Sequence, residues 1–126
     1  MVEVLQALNN EMQGLGLNYE YDTITDPSPT FPYWVGAYSE DAVSDESGQE
    51  TAEITLTGFS IDMPLLVIET QKKQIKDHFI NAIRVTTENE NVVFFYFSGS
   101  VDVPIDEFGV RKSEIRLKVI KFNGGI

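Results

Sequence analysis

Apolar residues recur over the first fifteen positions at the spacing of a helix. Val4, Leu5, Leu8, Met12 and Leu15 form one stripe, with Glu3, Gln6, Asn9, Asn10 and Gln13 mostly off it. The pattern predicts an amphipathic helix over Val2–Leu15, closed by Gly14 and Gly16. The period then changes to two. Tyr19, Tyr21 and Thr23 predict a first strand over Asn18–Thr25, and Asp26-Pro27-Ser28-Pro29-Thr30 reads as a stiff connector. Pro32 opens a second strand running to Ser39, with Tyr33, Val35 and Ala37 on one face and Trp34 and Tyr38 on the other. Gly36 marks a bulge or a close approach. A third strand from Thr51 to Ser60 carries Ala52, Ile54, Leu56 and Gly58 on one face, opposite a mainly Thr and Glu face.

Leu65, Ile68, Ile75, Phe79 and Ile83 return to helical spacing. They predict a helix that starts at Met63-Pro64, uses Asp62 or Ser60 as cap, and fades near Arg84. Lys72, Lys73, Lys76 and Asp77 make its solvated face, and Glu69 stands four residues before Lys73, the favourable order for an ion pair. A polar turn over Thr86–Asn91 precedes Val92-Val93-Phe94-Phe95-Tyr96-Phe97, the most hydrophobic run, which predicts a central strand over Asn91–Ser98. Ser100–Val110 reads as a connection with an extended piece at Val101–Val103. Arg111–Phe122 closes the set, with Ile115, Leu117 and Val119 inward and Glu114, Arg116 and Lys118 toward water, before a flexible tail at Asn123–Ile126. The order α-β-β-β-α-β-β predicts one α+β domain over 1–126, a two-layer sandwich with a mainly antiparallel sheet and two helices on one face.

Charge sharpens this outline. Residues 1–70 hold thirteen carboxylates and no Lys or Arg, whereas residues 71–126 hold nine cations against seven carboxylates. The net charge of −11 argues against simple duplex binding, where cations must neutralise phosphates. Its asymmetry permits head-to-tail attraction between copies, although acidity also serves solubility alone. Glu40, Asp41, Asp45, Glu46 and Glu50 crowd the tip between the second and third strands, which is expected to repel itself and be mobile at about 40–50. The chain has no Cys, so disulfides and thiolate metal sites are excluded. No secretory signal or membrane-spanning run is evident, and a soluble cytoplasmic protein is expected.

Candidate chemistry is sparse. His78 is the single histidine; its i±4 neighbours are Gln74 and Ala82, not ligands, and it reads as a surface or packing residue. Counting from Asp41, an EF-hand fails at Val43, Glu46 and Ala52. Nothing near Asp45-Glu46 would raise one carboxyl for acid–base work, and no Gly-x-Ser-x-Gly is present. No cofactor or metal site and no enzymatic activity are expected. Phe94–Phe97 reads as sheet core, whereas Trp34 and Tyr38 fit a core or an interface anchor equally.

Residues 31–41 (FPYWVGAYSED), the acidic tip, residues 54–60 (ITLTGFS) and residues 63–79 (MPLLVIETQKKQIKDHF), behind a short amphipathic helix and before two closing strands, resemble the tail terminator (tail completion) proteins of long-tailed bacteriophages and prophages. The resemblance implies a ring, usually of six copies, that caps the tail tube, stops its polymerisation and offers a surface to the head. The partners implied are further copies, tail tube protein and head–tail connector proteins. DNA would pass through the lumen without specific binding, and the protein would act in the host cytoplasm before joining the virion neck. Glu40, Asp41, Asp45, Glu46 and Glu50, with Trp34 and Tyr38, are candidate contacts, and Lys72, Lys73, Lys76, Arg111 and Lys112 are candidate complements. A head completion or connector protein is the nearest alternative. An acidic inhibitor, such as an immunity protein or a DNA mimic, is the alternative from another class.

Overall fold

The computed structural model describes residues 2–21, 31–40, 49–87, 89–103 and 109–122. Its elements are α1 (Val2–Gly14), β1 (Tyr19–Tyr21), β2 (Tyr33–Glu40), β3 (Gln49–Ile61), α2 (Leu65–Phe79), β4 (Ile83–Thr86), β5 (Val92–Val103) and β6 (Val110–Phe122). The class is α+β. Six strands form one curled mixed sheet in the order β1-β2-β3-β6-β5-β4, parallel only between β1 and β2.

Alternation fixes which side of each strand is buried. Ala52, Ile54 and Leu56 of β3 stand beside Val119, Leu117 and Ile115 of β6, and all six are buried. Val93 and Phe95 of β5 extend the same layer, and Ile83 and Val85 of β4 pack against it. Val4, Ala7, Leu8 and Met12 of α1 and Ile68, Ile75 and Phe79 of α2 join these side chains in a single core. Burial of apolar area on this scale, at roughly 25 cal/mol per Å², is what offsets the chain entropy of a domain this size.

Three sequence expectations are corrected. α2 ends at Phe79 instead of near Arg84, and Ile83–Thr86 is an edge strand. Ile80 N–H still bonds to Lys76 C=O, but Ala82 takes a left-handed φ of 59° and turns the chain back. Ile83 then pairs with Phe95, where its branched side chain suits a strand. The start of α2 also differs: Pro64 itself is the N-cap, with no side-chain cap bond, while Ser60 is buried inside β3. Third, β5 runs without a break past Ser98, where the strand was expected to end, through a register shift between Phe97 and Gly99; the extended piece expected at Val101–Val103 is present as its last residues. The Phe-rich β5 is an interior strand between β6 and β4, as its composition predicts, while β3 and β6 occupy the middle of the sheet.

The expected strand Asn18–Thr25 is described only as Tyr19–Tyr21, and the connector, the acidic tip at 41–48 and the tail lie outside the described residues. Gly36 is a close approach by a side chain: a Cβ there would collide with the Tyr19 hydroxyl.

Candidate interaction surfaces

The described structure sorts the charged residues into those engaged within the fold and those left open. The most enclosed group lies where α1 begins. Glu3 accepts hydrogen bonds from Thr87 Oγ1 (2.7 Å), Asn89 Nδ2 (3.1 Å) and Asn91 Nδ2 (2.8 Å) and pairs with Lys121 Nζ at 2.5 Å. Lys121 also faces Glu50 at 3.7 Å. The Glu3 and Lys121 side chains are only 12% and 9% exposed. The Lys121 hydrogen bond outweighs burial, and with Thr87, Asn91 and Asn89 it draws the Glu3 carboxyl from its ordinary 4.5 down to about 2. These bonds fasten the first turn of α1 to the end of β6 and the β4–β5 turn. Sequence periodicity placed Glu3 only off the buried stripe of the helix, because every partner lies more than eighty residues away.

The α2 lysines are largely engaged as well. Lys72 pairs with Glu69 (3.2 Å) and Asp102 (2.8 Å), and Ser113 Oγ donates to the same Asp102 oxygen. Burial works against the Lys72 ammonium, but the bonds to Asp102 and Glu69 prevail and raise its pKa. The Lys72 bond in turn lowers that of Asp102. Lys73 pairs with Asp77, not with Glu69 as its spacing suggested. Lys76 alone among the three has no carboxylate partner among the described residues; its Nζ lies 5.7 Å from the Phe97 ring centroid. His78 meets Glu11 of α1 at 2.7 Å, a packing role whose partner is 67 residues distant.

The other side of the sheet carries cations between aromatic rings. Lys112, Arg116 and Lys118 project from β6, and among the described residues no ion pair engages them. Tyr33 stacks on Phe59 with centroids 5.0 Å apart, Phe31 lies 5.1 Å from Tyr33, and Lys112 Nζ sits 5.6 Å from the Phe59 centroid. Across β6, Phe94 contacts Tyr96 and Phe122. Half-buried aromatics with unpaired Arg and Lys are a composition common at binding surfaces. Half of the Phe94–Phe97 run thus faces outward, while Phe95 is core.

Trp34 is fully buried, and Tyr38 packs at the core margin against Tyr21. Arg111 is half-buried on β6. The side chain of Glu40 and all of Asp41, Asp45 and Glu46 lie outside the described residues; Glu50 is the one member of the acidic tip with a described contact, to Lys121. Among the described residues no three His, Cys, Asp or Glu stand together as metal ligands, and no helix is long and apolar enough to cross a membrane.

No family model matches this sequence, and no curated protein shows significant similarity to it.

Proposed function

We propose that the protein is a structural component of a long-tailed phage or prophage particle, a tail terminator that assembles as a ring of about six copies on the finished tail tube. The ring stops addition of tube protein and presents a face to the head. It forms in the host cytoplasm and remains in the virion neck, and the reading includes no catalytic step and no cofactor. The two-layer arrangement, with both helices covering one side of the sheet, belongs to the same proposal; the single core shared by α1, α2 and one strand face supports it.

The observation that carries this reading is the uneven distribution of charge along the chain. Lys112, Arg116 and Lys118 make no ion pair among the described residues, although Glu53 is level with Lys118 and Glu114 lies between Lys112 and Arg116, while the first 70 residues supply thirteen carboxylates, of which Glu3, Glu11, Glu50 and Glu69 are engaged within the fold, and no cation. Such a chain attracts the opposite end of its own copy, a heterologous contact that closes into a ring when the rotation permits.

Light scattering over a concentration and salt series, followed by negative-stain imaging with purified tail tubes and filled heads, tests the proposal. Rings at one end of each tube are the expected result. Binding to filled heads without tubes would make the protein a connector. A monomer that ignores both, yet binds a basic nuclease tightly, would make it an inhibitor.

A further inference from the structure

We propose that the outer edge of β4, Ile83–Thr86, with the groove between it and α1, is a docking site for an extended segment of another protein, one that carries apolar residues at alternate positions and carboxylates between them. β4 is a terminal strand of the sheet, and its inner side pairs with β5 over all four residues. Among the described residues, no strand and no backbone hydrogen bond meets its outer side. An edge of this kind presents N–H and C=O groups to which a further strand can add.

The core is incompletely covered at this edge. Side chains of a strand alternate between the two faces of a sheet, and Ile83 and Val85 point to the core side. Phe95 and Val93, their partners on β5, are fully buried. Ile83 and Val85 are only half-buried. α1 stands beside them without closing the gap. A hollow of about 200 Å³ separates the two elements, lined by Val2, Gln6, Ala7 and Asn10 of α1 and by Val85, among others, and Val2 is 80% exposed. An apolar side chain of an added strand would enter this hollow and complete the layer over Val85, removing apolar surface from water.

The opposite face sets the charge of what adds. Arg84 and Thr86 project there and are exposed, and Arg84 makes no ion pair among the described residues. Glu3 borders the groove, but Lys121, Thr87, Asn89 and Asn91 engage its carboxylate. Glu90 lies in the β4–β5 turn, past the end of the strand. A carboxylate on the outward side of an added strand would stand across from Arg84, where an opposite charge is favourable. The same cation disfavours pairing of two β4 edges about a two-fold axis, since both Arg84 side chains would share one face of a ladder four residues long. β1 has the alternation Tyr19-Glu20-Tyr21, but Tyr19 is buried in its own core and cannot fill the groove of a copy. The occupant is therefore assigned to a different protein.

The test uses the full-length protein and a fluorescent synthetic peptide of alternating valine and glutamate, with a peptide of alternating valine and lysine as control. The expected result is saturable binding of the glutamate peptide that protects the Ile83–Thr86 amides from hydrogen exchange. Arg84→Glu should weaken that binding by about tenfold and turn the preference toward the lysine peptide. Asn10→Trp, at an exposed position lining the hollow, should weaken binding of either peptide by filling it. Absence of saturable binding, equal binding by wild type and Arg84→Glu, or protection of another strand would overturn the inference. So would preference for an oligothymidine over the glutamate peptide. Protection of β4 that rises with protein concentration in the absence of peptide would assign the edge to a second copy, and would overturn it too. The inference is independent of the tail reading: peptide capture at β4 supports it whether or not the protein caps tubes.

Discussion

Trp34→Ala is expected to lower the free energy of unfolding by about 3–5 kcal/mol, the range for deleting a buried aromatic side chain. Trp34 is inaccessible to solvent, and its ring lies so close to β3 that a Cβ on Gly58 would sit 2.6 Å from it. Its indole N–H donates to Gln71 Oε1 of α2 at 2.9 Å, so one side chain joins β2, β3 and α2. Gly58→Ala should destabilise by about 1–3 kcal/mol, since the ring it would meet is rigid and enclosed. Urea unfolding measures both, through the midpoint at unchanged slope. A loss below about 1 kcal/mol for Trp34→Ala would show that the indole is not a keystone of the core.

Glu3→Gln should cost about 1–2 kcal/mol at pH 7, solvent screening reducing the full effect, and almost nothing near pH 2. The folded carboxyl titrates at about 2 instead of its ordinary 4.5. Each unit of difference corresponds to at most about 1.4 kcal/mol, less where solvent screens the pair. A lowered acid contributes stability that is complete above its unfolded value and is lost as pH falls from about 4.5 to about 2. In that window the wild type should lose stability steadily, and Glu3→Gln should lack this component. Lys121→Met should be at least as damaging, because it leaves the Glu3 carboxylate enclosed without its cation. The double variant should recover much of the loss, since an enclosed ion pair replaced whole is often nearly neutral. Thermal or urea unfolding between pH 2 and pH 7 gives the comparison, and strictly additive losses would contradict it.

How far the fold could be read from the sequence depended on the range of each interaction. α1 and the two central strands β3 and β6 were legible, since Leu8, Ile54 and Leu117 each obey a local period that burial then enforces. β4 was not, because Phe79 and Ile83 keep the i, i+4 spacing of a helix while the chain actually turns at Ala82. The outward half of the Phe94–Phe97 run was hidden for a similar reason: hydrophobicity alone does not tell a doubly covered strand from one whose second face packs against its neighbours. The surfaces were read less well than the core. Lys72 looked solvated on a helical wheel and Lys73 looked matched to Glu69, yet Glu69 and Asp102 engage Lys72 and Asp77 engages Lys73. Lys118 and Arg116 looked merely solvated, yet the structure sets them open between two groups of aromatic rings. Their significance depends on register between strands far apart in sequence, which no local pattern encodes.

The assembly reading is tested most directly by the lengths of tubes grown from the cognate tail tube protein with and without this chain. The account predicts that substoichiometric protein halts growth, giving shorter tubes that each carry a ring at one end and do not elongate when fresh tube protein is added. Tubes of unchanged length that continue to elongate, at a protein concentration exceeding that of tube ends, would contradict it.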